Sequence, residues 1–196
     1  MKIENKTDGV KKIIDILKIS LKKIESEAEF EAIKNLYLTA FPPNERRELD
    51  ELKKQIYNEI CNVNLILAGE KIAGFVILWN FTDFVFPEHF AIEPGLRGLG
   101  TGEKTLSEII SLYQKTIILE TELPVDEISR RRIGFYERNG FHLLERKYFQ
   151  PSYDGIKPEV EMKLMCSSAN ISPEKLEKYI RQIREKVYHK IFNQND

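Results

Sequence analysis

The stretch Ile92–Thr105, IEPGLRGLGTGEKT, carries four glycines, Gly95, Gly98, Gly100 and Gly102, directly ahead of a segment with helical spacing. A helix N-terminus presents unpaired N–H groups and a partial positive charge. A phosphate group can reach those groups only where the backbone is bare, and a glycine turn leaves it bare. The apolar run Phe84–Ile92, FVFPEHFAI, leads into the turn and reads as a strand. Spacing leaves two readings of Arg97–Gly102, RGLGTG: a tight strand-to-helix turn with no ligand, or a phosphate cradle.

Working outward, NVNLILA and KIAGFVILW, separated by GEK, read as a hairpin ahead of that strand. After the turn come a helix to about Gln114 and a short central strand, KTIILE. Next is a helix, DEISRRRIGFYERNG, closed by Gly140, then a strand, FHLLERKYF, and a last alternating strand, VEMKLMC. Upstream, EAEFEAIKNLYLTA (27–40) places Phe30, Ile33, Leu36 and Tyr37 on one helical face. Two prolines in FPPNERRE stop that helix, and a second is expected over 47–59. LKKIES reads as a short strand, and Val10, Ile13, Ile14 and Leu17 suggest an N-terminal helix. The chain closes on a helix capped by Ser172 and Pro173, with Leu176, Ile180, Ile183, Val187 and Ile191 along one stripe. The order predicts a mixed α/β sheet with helices on both faces. It divides the chain into an extension (1–19), a core domain (20–166) and a C-terminal amphipathic helix (167–196), docked on the domain in preference to pairing two subunits.

The 196 residues are 42% apolar and 31% charged, as in a globular chain, and the formal net charge of −1 gives no general case for nucleic acid or anionic membrane. No signal peptide or bilayer-spanning run is visible, so the expected location is the cytoplasm. The two cysteines, Cys61 and Cys166, lack metal-ligand spacing, so no metal is expected and both read as buried thiols.

Two phosphate motifs fail on detail. In GTGEKT, Glu103 separates Gly102 from Lys104, where a Walker loop needs glycine directly before lysine. A Rossmann fingerprint needs a parallel strand ahead of it, and this strand belongs to an antiparallel meander. The sequence instead resembles the GNAT superfamily of N-acetyltransferases, on two segments in order: Ile92, four residues, then RGLGTG opening a helix; and RRIGFYERNGFHLLE after the strand TIILE. The resemblance covers about residues 20 to 166. It implies a mixed sheet of six or seven strands whose fourth and fifth strands splay apart. The amide-rich pantetheine arm of acetyl-CoA would enter that gap and pair with free strand groups like an extra strand.

The resemblance further implies acetyl transfer to a primary amine of a small molecule, by direct attack through a tetrahedral intermediate. Tyr136 matches the family's general acid. Glu88 is the expected base, acting through water, with His89 as a less favoured candidate. Pro87 suggests a bulge that re-aims both. The cofactor is expected on Ala91, Ile92, Arg97, Gly98, Leu99, Gly100, Thr101 and Gly102, and on Ser129, Arg132 and Phe135. Ser129 stands where relatives carry an asparagine, and Arg130 to Arg132 are candidates for the phosphates. A backbone N–H near Ala91 or Ile92 is the expected oxyanion donor. Phe41, Glu45, Trp79, Tyr153 and His89 are candidate acceptor contacts. Two other readings stay open: a non-catalytic acyl-CoA-binding or regulatory module, and a protein-interaction domain built on the terminal helices. The oligomeric expectation is a monomer or a homodimer.

Overall fold

The computed structural model describes residues 18–188. The expected N-terminal helix lies outside them, as does Ile191. Strand β1 (Ile19–Lys23) leads to helix α1 (Glu27–Ala40). Ser26 accepts the Glu29 N–H while the Glu29 side chain reaches back to the Ser26 N–H, which fixes where α1 begins. The expected 47–59 helix is shorter. Helix α2 covers Leu49–Lys54 and tightens into a 3-10 turn at Gln55–Tyr57, where Asn58 N donates to Gln55 O and Ile56 turns into the core.

Strands β2 (Cys61–Ala68), β3 (Lys71–Asn80) and β4 (Phe84–Ile92) form an antiparallel meander. Helix α3 (Thr101–Tyr113), strand β5 (Thr116–Glu122) and helix α4 (Glu127–Arg138) follow. The expected strand FHLLERKYF is two pieces, β6 (His142–Leu143) and β7 (Tyr148–Gln150), both on β8 (Val160–Cys166). After Leu144, whose N–H still donates to Leu164 O, the charged residues 145–147 leave the ladder between the two pieces. The sheet order is β1-β2-β3-β4-β5-β8-β6, with β7 also on β8.

Strands β4 and β5 are the parallel pair, joined at two register steps, Phe84↔Thr116 and Val85↔Ile117. Beyond those steps β4 stays with β3 as far as Ile92 and β5 stays with β8 as far as Glu122, so a gap opens between them. Helices α1, α2 and α5 (Pro173–Val187) cover one face of the sheet and α3 and α4 the other. Leu176, Tyr179, Ile180, Ile183 and Val187 of α5 are buried against the chain's own core, where Tyr179 stacks on Phe84 at 4.0 Å. Cys61 and Cys166 are free and buried. Among the described residues, no helix is long and apolar enough to cross a membrane, and no cluster of His, Cys, Asp and Glu could hold a metal ion.

Candidate active site

The β3–β4 ladder slips beside Pro87: Ile77 faces His89 and Leu78 faces Pro87, leaving Glu88 as the extra residue. A regular strand would send Glu88 and His89 to opposite faces. The bulge puts them side by side on the α1–α5 face, with His89 Nδ1 3.8 Å from Glu88 Oε1. Gly74 lets the other end of β4 come close, since a Cβ there would stand 2.2 Å from Ala91 O.

After β4 the chain turns through left-handed Gly98 (φ +73°) and Gly100 (φ +84°) into α3. Gly100 is the N-cap and gives no side-chain cap, so the first N–H groups of α3 lack that partner. A Cβ added to Gly98 or Gly100 would meet nothing within 4 Å: the turn faces a cavity of about 660 Å³, bounded also by Leu99, Lys104, Ser107 and Asn139. Thr101 and Leu99 are buried, and Thr101 Oγ1 donates to Leu96 O at 3.2 Å, bracing the turn from beneath. Gly102 lies against the Phe135 ring, where a Cβ would come within 3.3 Å. This bare, uncapped turn suits a pyrophosphate.

Around the turn, a cavity of about 830 Å³ runs through the β4–β5 gap. On the α3–α4 side it is lined by Arg97, Gly98, Gly100, Arg132, Phe135 and Tyr136. Ala91 and Ile92 line its β4 wall and Glu120 to Glu122 its β5 wall. At the far end are Phe41, Glu45, His89, Gln150 and Tyr153. One space therefore connects the glycine turn, the strand gap and the loops that follow α1 and β7.

Tyr136 is buried on the α4 side, and burial pushes its phenol up to about 12, with Arg132 opposing and Glu122 adding to the shift. Arg97 Nε donates to Ile92 O at 2.8 Å, at the mouth of the gap. The three consecutive arginines part ways. Arg130 bonds Pro124 O, Arg131 pairs with Glu127, and Arg132 pairs with Glu122 inside the cavity. The Ser129 hydroxyl closes the capping box of α4 with Asp126, and Ser129 is not among the residues that line the cavity. Trp79 also departs from expectation. It is buried behind the site and donates to Glu88 Oε2 at 2.7 Å without lining the cavity.

Glu88 is fully enclosed. Its Oε1 accepts from Arg47 Nε at 3.0 Å, and the same guanidinium donates to Val187 O and lies 4.7 Å from the Tyr153 ring centroid. Burial pushes the Glu88 carboxyl up, but Arg47 above all, then His89, Trp79 and Tyr153, outweigh it and hold it below the usual range. Glu88 borders the cavity as expected, but an ion-paired carboxylate so held is a poor proton acceptor at neutral pH. Burial lowers the His89 imidazole and favours its neutral form, against the opposing pull of Glu88 and of the bond to the Glu45 carbonyl. Its Nε2 donates to Glu45 O at 2.9 Å, and Nδ1 has no partner among the described residues. Phe41 meets the His89 ring edge-on at 4.4 Å, and Tyr153 stacks over it at 6.2 Å.

Sequence reading gave neither Glu120 nor Arg47 a role in the site. Glu120 follows the apolar run Ile117–Leu119 within β5 and lines the cavity on the His89 face of the sheet. Tyr148 donates to its Oε1, and Tyr188 donates to its Oε2 at 2.7 Å. Burial pushes it up to about 7, with Glu88 adding to the shift and the tyrosine bonds and Arg184 opposing it. A carboxylate directly after a buried apolar run was the sequence signal available for it.

The family model for the acetyltransferase (GNAT) domain matches residues 60–143. A GNAT-family acetyltransferase structure from Bacteroides thetaiotaomicron is 34% identical, with a TM-score of 0.80 over 87% of this chain and 98% of that one. The ribosomal-protein-S18-alanine N-acetyltransferase of Escherichia coli shares the fold at 18% identity, TM-score 0.56, over 80% of this chain and 97% of that one. So does Arabidopsis thaliana Naa50, solved with a bisubstrate analogue of CoA, at 17% identity and TM-score 0.57 over 78% of this chain and 99% of that one. A search of curated proteins by sequence finds no match. With a glycine turn open at its helix end, a sheet parted at its fourth and fifth strands, and a relative aligned over nearly its whole length, this chain belongs to the GNAT acetyltransferase family.

Proposed function

We propose that the protein is an acetyl-CoA-dependent N-acetyltransferase acting on a primary amine of a small molecule. The observation that carries this reading is the continuous 830 Å³ cavity, which joins the bare turn to the chamber beside Glu120 through the strand gap. Backbone N–H groups at Gly98 to Gly102 hold the pyrophosphate, and the 660 Å³ cavity on the outer side of the turn takes the nucleotide end. The gap-side N–H and C=O groups of β4 pair with the pantetheine arm, which supplies the thioester as acyl donor.

The chain's own groups divide the proton work between the two faces of the sheet. Glu120 takes the proton from the ammonium of the acceptor and passes it to solvent, and a carboxyl titrating near 7 suits that task. As the N–C bond forms, an N–H near Ala91 or Ile92 donates to the oxygen that gains charge. As the C–S bond breaks, Tyr136 gives its proton to the departing sulfur and regains one from solvent. Phe41, His89 and Tyr153 give the acceptor chamber an aromatic wall suited to the carbon skeleton of a small amine.

The test is thiol release from acetyl-CoA across a panel of small amines. Wild type should turn over at least one of them. Tyr136→Phe should bind the coenzyme with unchanged affinity and lose about 10²-fold in kcat. Coenzyme binding with no turnover of any amine would instead make the protein a binding module.

A further inference from the structure

Helix α5 lies outside the residues matched by the family model, yet its end reaches the acceptor chamber. Tyr188, next after its last helical residue, is buried. Its ring packs on Tyr153 with centroids 4.9 Å apart, and its hydroxyl donates to Glu120 Oε2 at 2.7 Å. The carbonyl of Val187 beside it accepts from Arg47, the arginine that pairs with Glu88. The helix end is thus tied at once to the loop after α1, the loop after β7 and Glu120 on the cavity's β5 wall.

Both Glu120 oxygens accept from tyrosine hydroxyls, one from Tyr148 on β7 and one from Tyr188. The other charged or titratable groups facing Glu120 are Glu88 on β4, Arg184 on α5 and Tyr153 in the loop after β7. Glu88 is matched by Arg47 and flanked by His89. Hydrogen bonds donated to a carboxylate favour its charged form, while burial and a neighbouring carboxylate oppose it.

We infer that Tyr188 is a positioning residue for acetyl transfer: its hydroxyl holds the Glu120 carboxylate at the cavity wall and sets the pH range in which that carboxylate accepts a proton. The inference rests on Glu120 being the base. Removing the hydroxyl leaves Tyr148 as the sole tyrosine donor, so Glu120 keeps its proton to higher pH. The working range then narrows from the acid side.

The experiment uses the full chain, labelled with carbonyl ¹³C in its glutamate side chains. The Glu120 signal is identified by its loss in Glu120→Gln. Tyr188→Phe keeps the ring on Tyr153 and removes the donor. It should raise the Glu120 titration midpoint by about one pH unit, and the acid limb of the kcat/KM profile should move with it. Tyr148→Phe, the second variant, should shift both in the same direction. A midpoint unchanged in Tyr188→Phe, even with a lowered melting temperature, would overturn the inference and leave the acetyltransferase reading intact. A midpoint that moves while the acid limb stays put would remove Glu120 as base, and the inference with it.

Discussion

At the scale of single residues, the strongest constraint is the enclosed pair Arg47–Glu88. Its partners lie 41 residues apart, and both side chains are nearly free of solvent contact. In sequence, Arg47 opens the segment expected to be the second helix, and nothing local reveals that its guanidinium is folded inward. Removing one member of a buried pair leaves the other unmatched, which costs about 3–5 kcal/mol. Glu88→Gln should show that loss in urea unfolding at pH 7, and adding Arg47→Met should restore part of it. The pH dependence has a definite sign. Glu88 is held below its ordinary value in the folded state, so the stability it contributes is complete above about pH 4.3. That contribution drains away as the pH falls through the lower, folded value. Wild type should therefore lose its advantage over Glu88→Gln on acidification. Ser129 is the reverse case: Asp126, three residues ahead, is a local capping signal that engages the serine hydroxyl.

At the scale of elements, legibility followed length and regularity. Strands β3, β4 and β8 are long apolar or alternating runs bounded by turn residues, and their limits could be read closely. The bulge was foreshadowed by Pro87, since proline donates nothing to a ladder. FHLLERKYF looked continuous because strand propensity does not register that its charged middle would leave the ladder. The glycine turn was legible because left-handed backbone and an uncapped helix start are both written in residue type. Gly100 adopts φ +84° over open space, so a larger side chain there strains the turn and fills the ground above it. Gly100→Val should cost about 1–2 kcal/mol in thermal or urea unfolding, and should abolish the rise in melting temperature expected of the wild type with CoA.

At the scale of the whole molecule, what sequence could not disclose is convergence. The state of Glu120 depends on Tyr148 and Tyr188, 28 and 68 residues further along the chain. No periodicity encodes such a meeting; the docking of α5 on the sheet produces it. The glycine turn is one contiguous segment and can be read locally, whereas the chamber around Glu120 is built by five separate segments: the loop after α1, β4, β5, β7 with its loop, and the end of α5.

The two register steps joining β4 to β5 carry a mechanical consequence. The meander and the β5–β8 pair are like the blades of shears, riveted at Phe84–Val85 and free toward the tips. A ligand threaded between the blades would act as a splint. Amide deuteration of segments 86–92 and 118–122 should then slow together when CoA is added, while β1, on the far edge of the sheet, keeps its original rate.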